Sequence, residues 1–164
     1  MISEALPEDE KDYFYSSSDS LYVTNTIGAF KNAGIDVDSI EDIVRKGALM
    51  TVAVKQPRVG LTVPADTIKR HSYQLEEEIN QYPNIKAILL MGDAAIRAMN
   101  FISQRNTKRR VVPSGSTYKI RKGEFFYRDI RIFPSYLQTG KNFLIEKSKR
   151  IMVAEDIGNA FSLL

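Results

Sequence analysis

The 164-residue chain has no cysteine, no tryptophan and a single histidine, His71. Without cysteine there is no disulfide, thiolate zinc site, cysteine nucleophile or cysteine-ligated iron–sulfur cluster. One histidine excludes any site that needs two. No apolar run reaches the ~18 residues of a membrane helix, and no signal peptide is visible. The expectation is a cytoplasmic protein with no membrane partner, no metal and no cofactor. What is present is ordinary for a globular protein: 43% hydrophobic and 26% charged residues. A chain of this length buries roughly 70% of its unfolded surface, enough for one domain with a real core.

The net charge of +3 hides an uneven layout. Six acids (Glu4, Glu8, Asp9, Glu10, Asp12, Asp19) and one base, Lys11, fall in the first twenty residues. Nine bases lie between Arg105 and Arg131: Arg105, Lys108, Arg109, Arg110, Lys119, Arg121, Lys122, Arg128 and Arg131. Only Glu124 and Asp129 oppose them there. An acidic start and a basic second half suit a polyanionic partner. The plainer account of such runs is a set of solvated loops.

Hydrophobic spacing predicts a helix over residues 19–33, capped by Asp19 or Ser20 and stopped by Gly34. A short helix follows Asp38-Ser39 and ends at Gly47. Residues 48–54 (ALMTVAV) and 85–91 (IKAILLM) are uninterrupted apolar runs, which read as buried parallel strands. Residues 65–82 form an amphipathic helix with Ile68, His71, Leu75, Ile79 and Tyr82 on one face. His71 there is expected to be a packed core side chain. Gly92-Asp93 opens a helix over residues 94–102, with Asp93 as its expected cap; the alternative is a set of backbone amides offered to an anion. Residues 111–133 read as a hairpin-like excursion that includes 117–120 as a strand and ends in a core strand at 130–133. Helices over 143–150 and 155–164 close the chain. Met1 to Ser3 resembles the tail of a strand whose beginning is clipped. Alternating strands and helices predict a three-layer α/β/α sandwich with a small, mostly parallel central sheet, as one domain over residues 1–164. Ligands then belong beyond the carboxyl ends of the strands: residues 55–60, Gly92-Asp93 and residues 134–142.

These pieces, in this order, resemble the uracil-DNA glycosylase superfamily, nearest its family 4 and 5 branches. Ser3-Glu4-Ala5-Leu6-Pro7-Glu8-Asp9 resembles the first motif, a Gly-Glu-x-Pro-Gly loop followed by acids. Tyr13-Phe14-Tyr15 stands where the family stacks an aromatic on the flipped base. Residues 48–56 resemble its second strand. The stretch from Leu75 through Gly92-Asp93-Ala94-Ala95 resembles its helix, strand and Leu-Gly-x-x-Ala turn. Phe133-Pro134-Ser135-Tyr136 and Ala154-Glu155-Asp156-Ile157 resemble its last strand, DNA-inserting loop and final helix. The chain departs from the family at three places. The base-reading asparagine falls at Val52, the loop histidine falls at Leu137, and the cluster cysteines are gone, with His71 at one of their apparent positions. These departures bear on uracil specificity and on catalysis.

The resemblance implies removal of a damaged or deaminated base, uracil or a related one, from DNA by a monomeric base-excision enzyme. Such chemistry needs an extruded base, a carboxylate near the developing oxocarbenium ion, and donors for the leaving base. Glu8 is the first expected carboxylate, with Asp9 and Glu4 next. Phe14, flanked by Tyr13, is the expected stacking residue, and Val52 lines the base pocket. Ser135, Tyr136, Leu137, Gln138, Gly140 and Lys141 form the expected DNA loop, with Leu137 as a wedge. Arg109, Arg110, Lys119 and Arg121 are expected phosphate contacts. Two alternatives stand beside this one. One is a nucleic-acid-binding domain of the same fold with weakened chemistry; the other is a small-molecule nucleotide-binding α/β domain.

Overall fold

The computed structural model describes residues 1–16 and 19–164. It is an α/β protein built on a five-stranded sheet with helices on both faces, a three-layer α/β/α sandwich. The strands are β1 (Ile2–Leu6), β2 (Thr51–Pro57), β3 (Ala87–Met91), β4 (Phe125–Tyr127) and β5 (Ile130–Ser135). The sheet order is β2-β1-β3-β5-β4. All neighbours are parallel except β4 and β5, which form an antiparallel hairpin.

The helices are α1 (Leu21–Asn32), α2 (Ile40–Arg45), α3 (Ala65–Asn80), α4 (Asp93–Thr107), the single turn α5 (Thr117–Ile120), and α6 (Lys147–Phe161). One face of the sheet packs against α3 and α4 through Ile68, Leu75, Ala95, Ala98, Met99 and Ile102. The other packs against α1, α2 and α6 through Phe30, Ile43, Val153 and Ile157. The alanines let α4 lie close to the sheet, and burial on both faces explains the unbroken apolar runs of β2 and β3. Among the described residues, no helix is long and apolar enough to cross a membrane.

Local differences from the sequence reading have physical causes. Residues Ser3 to Leu6, expected in a loop, are the strand β1, and the loop begins at Pro7. Strand β2 starts at Thr51 and not at Ala48. The Tyr15 hydroxyl donates to the Met50 carbonyl (3.0 Å) and accepts from its N–H (2.9 Å), taking up ladder positions just before the strand. Residues 117–120 form a helical turn, because the Ser116 carbonyl accepts from the amides of Lys119 and Ile120. The two closing helices are one, α6, since nothing between Arg150 and Glu155 breaks it. Phe143 instead belongs to a 3-10 turn, Lys141–Leu144. Ser20 is the cap of α1 and accepts from the Val23 amide.

Strand order places the site. From β1 the chain moves outward to β2; it then returns past β1 to β3 and continues to β5 on the other side. The carboxyl ends of β1 and β3 therefore border the point where winding reverses, the place where open α/β sheets form a crevice.

Candidate functional site at the carboxyl edge of the sheet

Glu4 on β1 points into this crevice, its side chain 15% exposed. Its Oε1 accepts from the Ala94 amide at 3.2 Å, in the first turn of α4. The Arg58 guanidinium, just past β2, is 3.5 Å from Oε2. Gly92 makes the approach possible. It sits at φ +100, and a Cβ built there would be 2.7 Å from Glu4 Oε1. The helix start is thus capped by Glu4, ninety positions away, and the Asp93 side chain makes no cap bond. A carboxylate suits this place, because the aligned peptide dipoles put partial positive charge at a helix N-terminus.

Tyr22, on the first turn of α1, forms another wall. Its hydroxyl donates to the Ala5 carbonyl at 2.8 Å. Burial pushes this phenol above its ordinary range, the Thr139 hydroxyl bonded to it pulls the other way, and the charges of Arg58, Glu4 and Asp12 all reach it. Below lies a buried polar floor. Gln138 Nε2 donates to Ser3 Oγ (3.2 Å) and Thr26 Oγ1 (3.4 Å), while Asn25 Nδ2 donates to the Gln138 carbonyl (3.0 Å). These bonds tie β1, α1 and the loop after β5 into one unit. Asn25 Oδ1, also buried, has no partner.

The expected residues divide accordingly. Glu8 and Asp9 are exposed and follow the carboxyl end of β1, whereas Glu4 is on the strand itself. Asp9 spends its carboxylate on the Lys11 amide at the start of a 3-10 turn. Phe14, the expected stacking aromatic, is 2% exposed and packs against Tyr13, Tyr15 and Tyr22, with no free ring face. Tyr13 is half-buried in that cluster. Val52 is buried in the layer facing α1 and offers no polar edge.

In the expected DNA loop, Ser135 and Gln138 are buried and hydrogen-bonded inward, Gln138 in the polar floor and Ser135 to Asp156. Tyr136, Leu137 and Gly140 are half-buried, and Lys141 is exposed. Arg109, Arg110 and Lys119 are exposed. Arg121 is not a free cation: its side chain is 4% exposed and binds Asp156 through two nitrogens, at 2.7 and 3.1 Å. His71 is half-buried and hydrogen-bonded to the end of β2, not packed in the core.

Arg58, Tyr22 and Thr139 had not been singled out. Arg58 carried a signal, because it follows the β2 run at a strand end. Thr139 carried the same signal, lying within residues 134–142, and Tyr22 carried none, since only the fold brings α1 beside β1. No protein-family model matches the sequence, and no curated protein matches it. Among the described residues, no group of three or more histidines and acids is placed to hold a metal ion.

Proposed function

We propose that the chain is a DNA glycosylase-like protein that removes a damaged or deaminated base, uracil or a relative of it, with Glu4 as its carboxylate. The observation that carries this reading is the occupant of the α4 N-terminus. In a nucleotide-binding α/β domain the first amides of such a helix receive a phosphate. Here the Ala94 amide is given to Glu4. An acid at that place repels phosphate and suits a centre that becomes positive.

Cleavage of a deoxynucleoside's N-glycosidic bond makes such a centre. Positive charge develops on the sugar as the base departs with the bonding electrons; water then adds to the sugar carbon, and the proton it loses ends on the departed base anion. A fixed carboxylate stabilises the cation and orients that water. Arg58 borders the carboxylate and serves as a donor to the departing base anion, the role for which the resemblance has a histidine. A second reading, DNA binding without excision, is favoured by the burial of Phe14 and by the apolar Val52 and Leu137.

The test is excision from oligonucleotides carrying uracil or hypoxanthine, single- and double-stranded, read as alkali-labile sites. Glu4→Gln keeps an acceptor for the Ala94 amide and removes the charge. It should lower excision by ~10²–10⁴-fold and leave DNA affinity in place. Unchanged excision by this variant would remove Glu4 from its role. Tight DNA binding with no labile sites at enzyme excess selects the second reading. Absence of DNA binding even at low salt rejects both.

A further inference from the structure

Residues 58–64 leave the carboxyl end of β2 as a short finger. Its base is fixed on both sides. Arg58 contacts Glu4, and Val63 is buried in the core layer beneath α3 and α4. Pro57 ends the strand and Pro64 precedes α3, so the flanking backbone has little freedom to lose. Gly60, at φ +83, turns the tip. On either side of it stand the two most exposed large apolar residues among those described, Val59 at 87% and Leu61 at 92%. Lys69 and Arg70, in the first half of α3, are exposed too.

We propose that Val59 and Leu61 are a wedge that enters the base stack of duplex DNA and fills the space of the extruded nucleotide. This inference rests on the glycosylase reading of the Glu4 crevice. The argument is one of placement. Arg58 joins finger and crevice directly, so a nucleotide held at Glu4 leaves its gap beside residues 59–61. Aliphatic side chains do this work at kinked base steps, and the flanking phosphates would meet Lys69 and Arg70. Pro57, Pro64 and the buried Val63 anchor the base of the finger, so its tip enters from a fixed place. Leu137, expected in this role from the sequence, is half-buried.

The experiment compares the full chain with Val59→Ser/Leu61→Ser on a single-stranded uracil oligonucleotide and on the matching duplex. A 2-aminopurine beside the uracil reports unstacking. Both changes lie on a solvated tip, so the thermal unfolding midpoint should not move. Duplex excision and the 2-aminopurine rise should both fall by ~10-fold or more, since two buried aliphatic contacts are lost. Single-stranded excision, which needs no gap filled, should stay within ~2-fold. Equal losses on both substrates, or wild-type duplex activity in the variant, overturn the wedge. If the wild-type chain unstacks the duplex and excises nothing, the glycosylase reading fails alone, and the 2-aminopurine signal of the variant decides the wedge. If the wild-type chain leaves 2-aminopurine unchanged, the wedge fails whatever the excision result.

Discussion

His71 illustrates how hydrogen bonds fix the state of a single side chain. The Lys55 amide donates to Nδ1 at 3.4 Å, so that nitrogen carries no proton, and Nε2–H donates to Gln56 Oε1 at 3.2 Å. The neutral ring is the one that fits. Burial first, then the charges of Arg70 and Lys55, hold its pKa below the ordinary 6.5. The unfolded chain therefore binds this proton at higher pH than the folded one. The stability at stake is fully present above 6.5 and is lost as pH falls below it, toward the folded value. The unfolding midpoint of the wild-type chain should drop more between about pH 7 and about pH 5 than that of His71→Gln, in parallel melts. Identical pH profiles would remove His71 from this account. The sequence located this histidine on a helix face; it did not say that the face borders the end of β2. The same holds for Glu4, visible as one of six early acids, whose place depends on Gly92 and Ala94, about ninety positions on.

Among the elements, the excursion between α4 and β5 depends most on one contact. Arg121, at the end of α5, bonds Asp156 through two nitrogens, and Nη2 also donates to the Met152 carbonyl at 2.9 Å. Ser135 Oγ donates to the same Asp156 at 2.5 Å. One buried carboxylate thus joins α5, β5 and α6. Removing the arginine leaves that charge buried and unpaired. Arg121→Ala should cost ~3–5 kcal/mol, seen as a lower midpoint in urea at unchanged slope. A cost under ~1 kcal/mol would mean that the pair is ornamental. Composition alone marked Arg121 as one more base in a basic stretch, because its partner lies 35 residues away. Residues 117–120 were misjudged for a related reason. A four-residue segment carries too little period to tell a strand from a helical turn, and the choice fell to the Ser116 carbonyl, which accepts from Lys119 and Ile120. The buried strands and α1, α3 and α4 were legible, since each has a long apolar pattern of one period.

At the scale of the whole molecule, the basic stretch and the crevice separate. The α4 helix has 15 residues, roughly 22 Å of length. It starts at the crevice and runs back along the sheet, so Lys108 at its end lies toward the opposite edge. Arg105 is paired with Glu76 at 2.6 Å, and Arg121 is buried. Lys141, by contrast, follows the carboxyl end of β5 on the crevice side. DNA seated over Glu4 should meet Lys141 and not Arg109 or Arg110. In the dependence of log affinity on log salt, Lys141→Ala should reduce the slope by ~0.9, and the Arg109→Ala/Arg110→Ala double change should leave it nearly unaltered. The reverse result would place the polyanion on the other edge and detach it from the crevice.

The sequence by itself determined the fold class and most of the elements, since apolar period and turn residues act within a few positions of one another. It also excluded thiolate chemistry, because composition needs no geometry. Only the tertiary structure decided which early acid enters the crevice, which bases remain free, and which apolar side chains are left in water. Those outcomes depend on strand order and on contacts between distant residues: Glu4 with Ala94, Arg121 with Asp156, Gln138 with Ser3. Burial and charge pairing across such distances leave no local pattern to read.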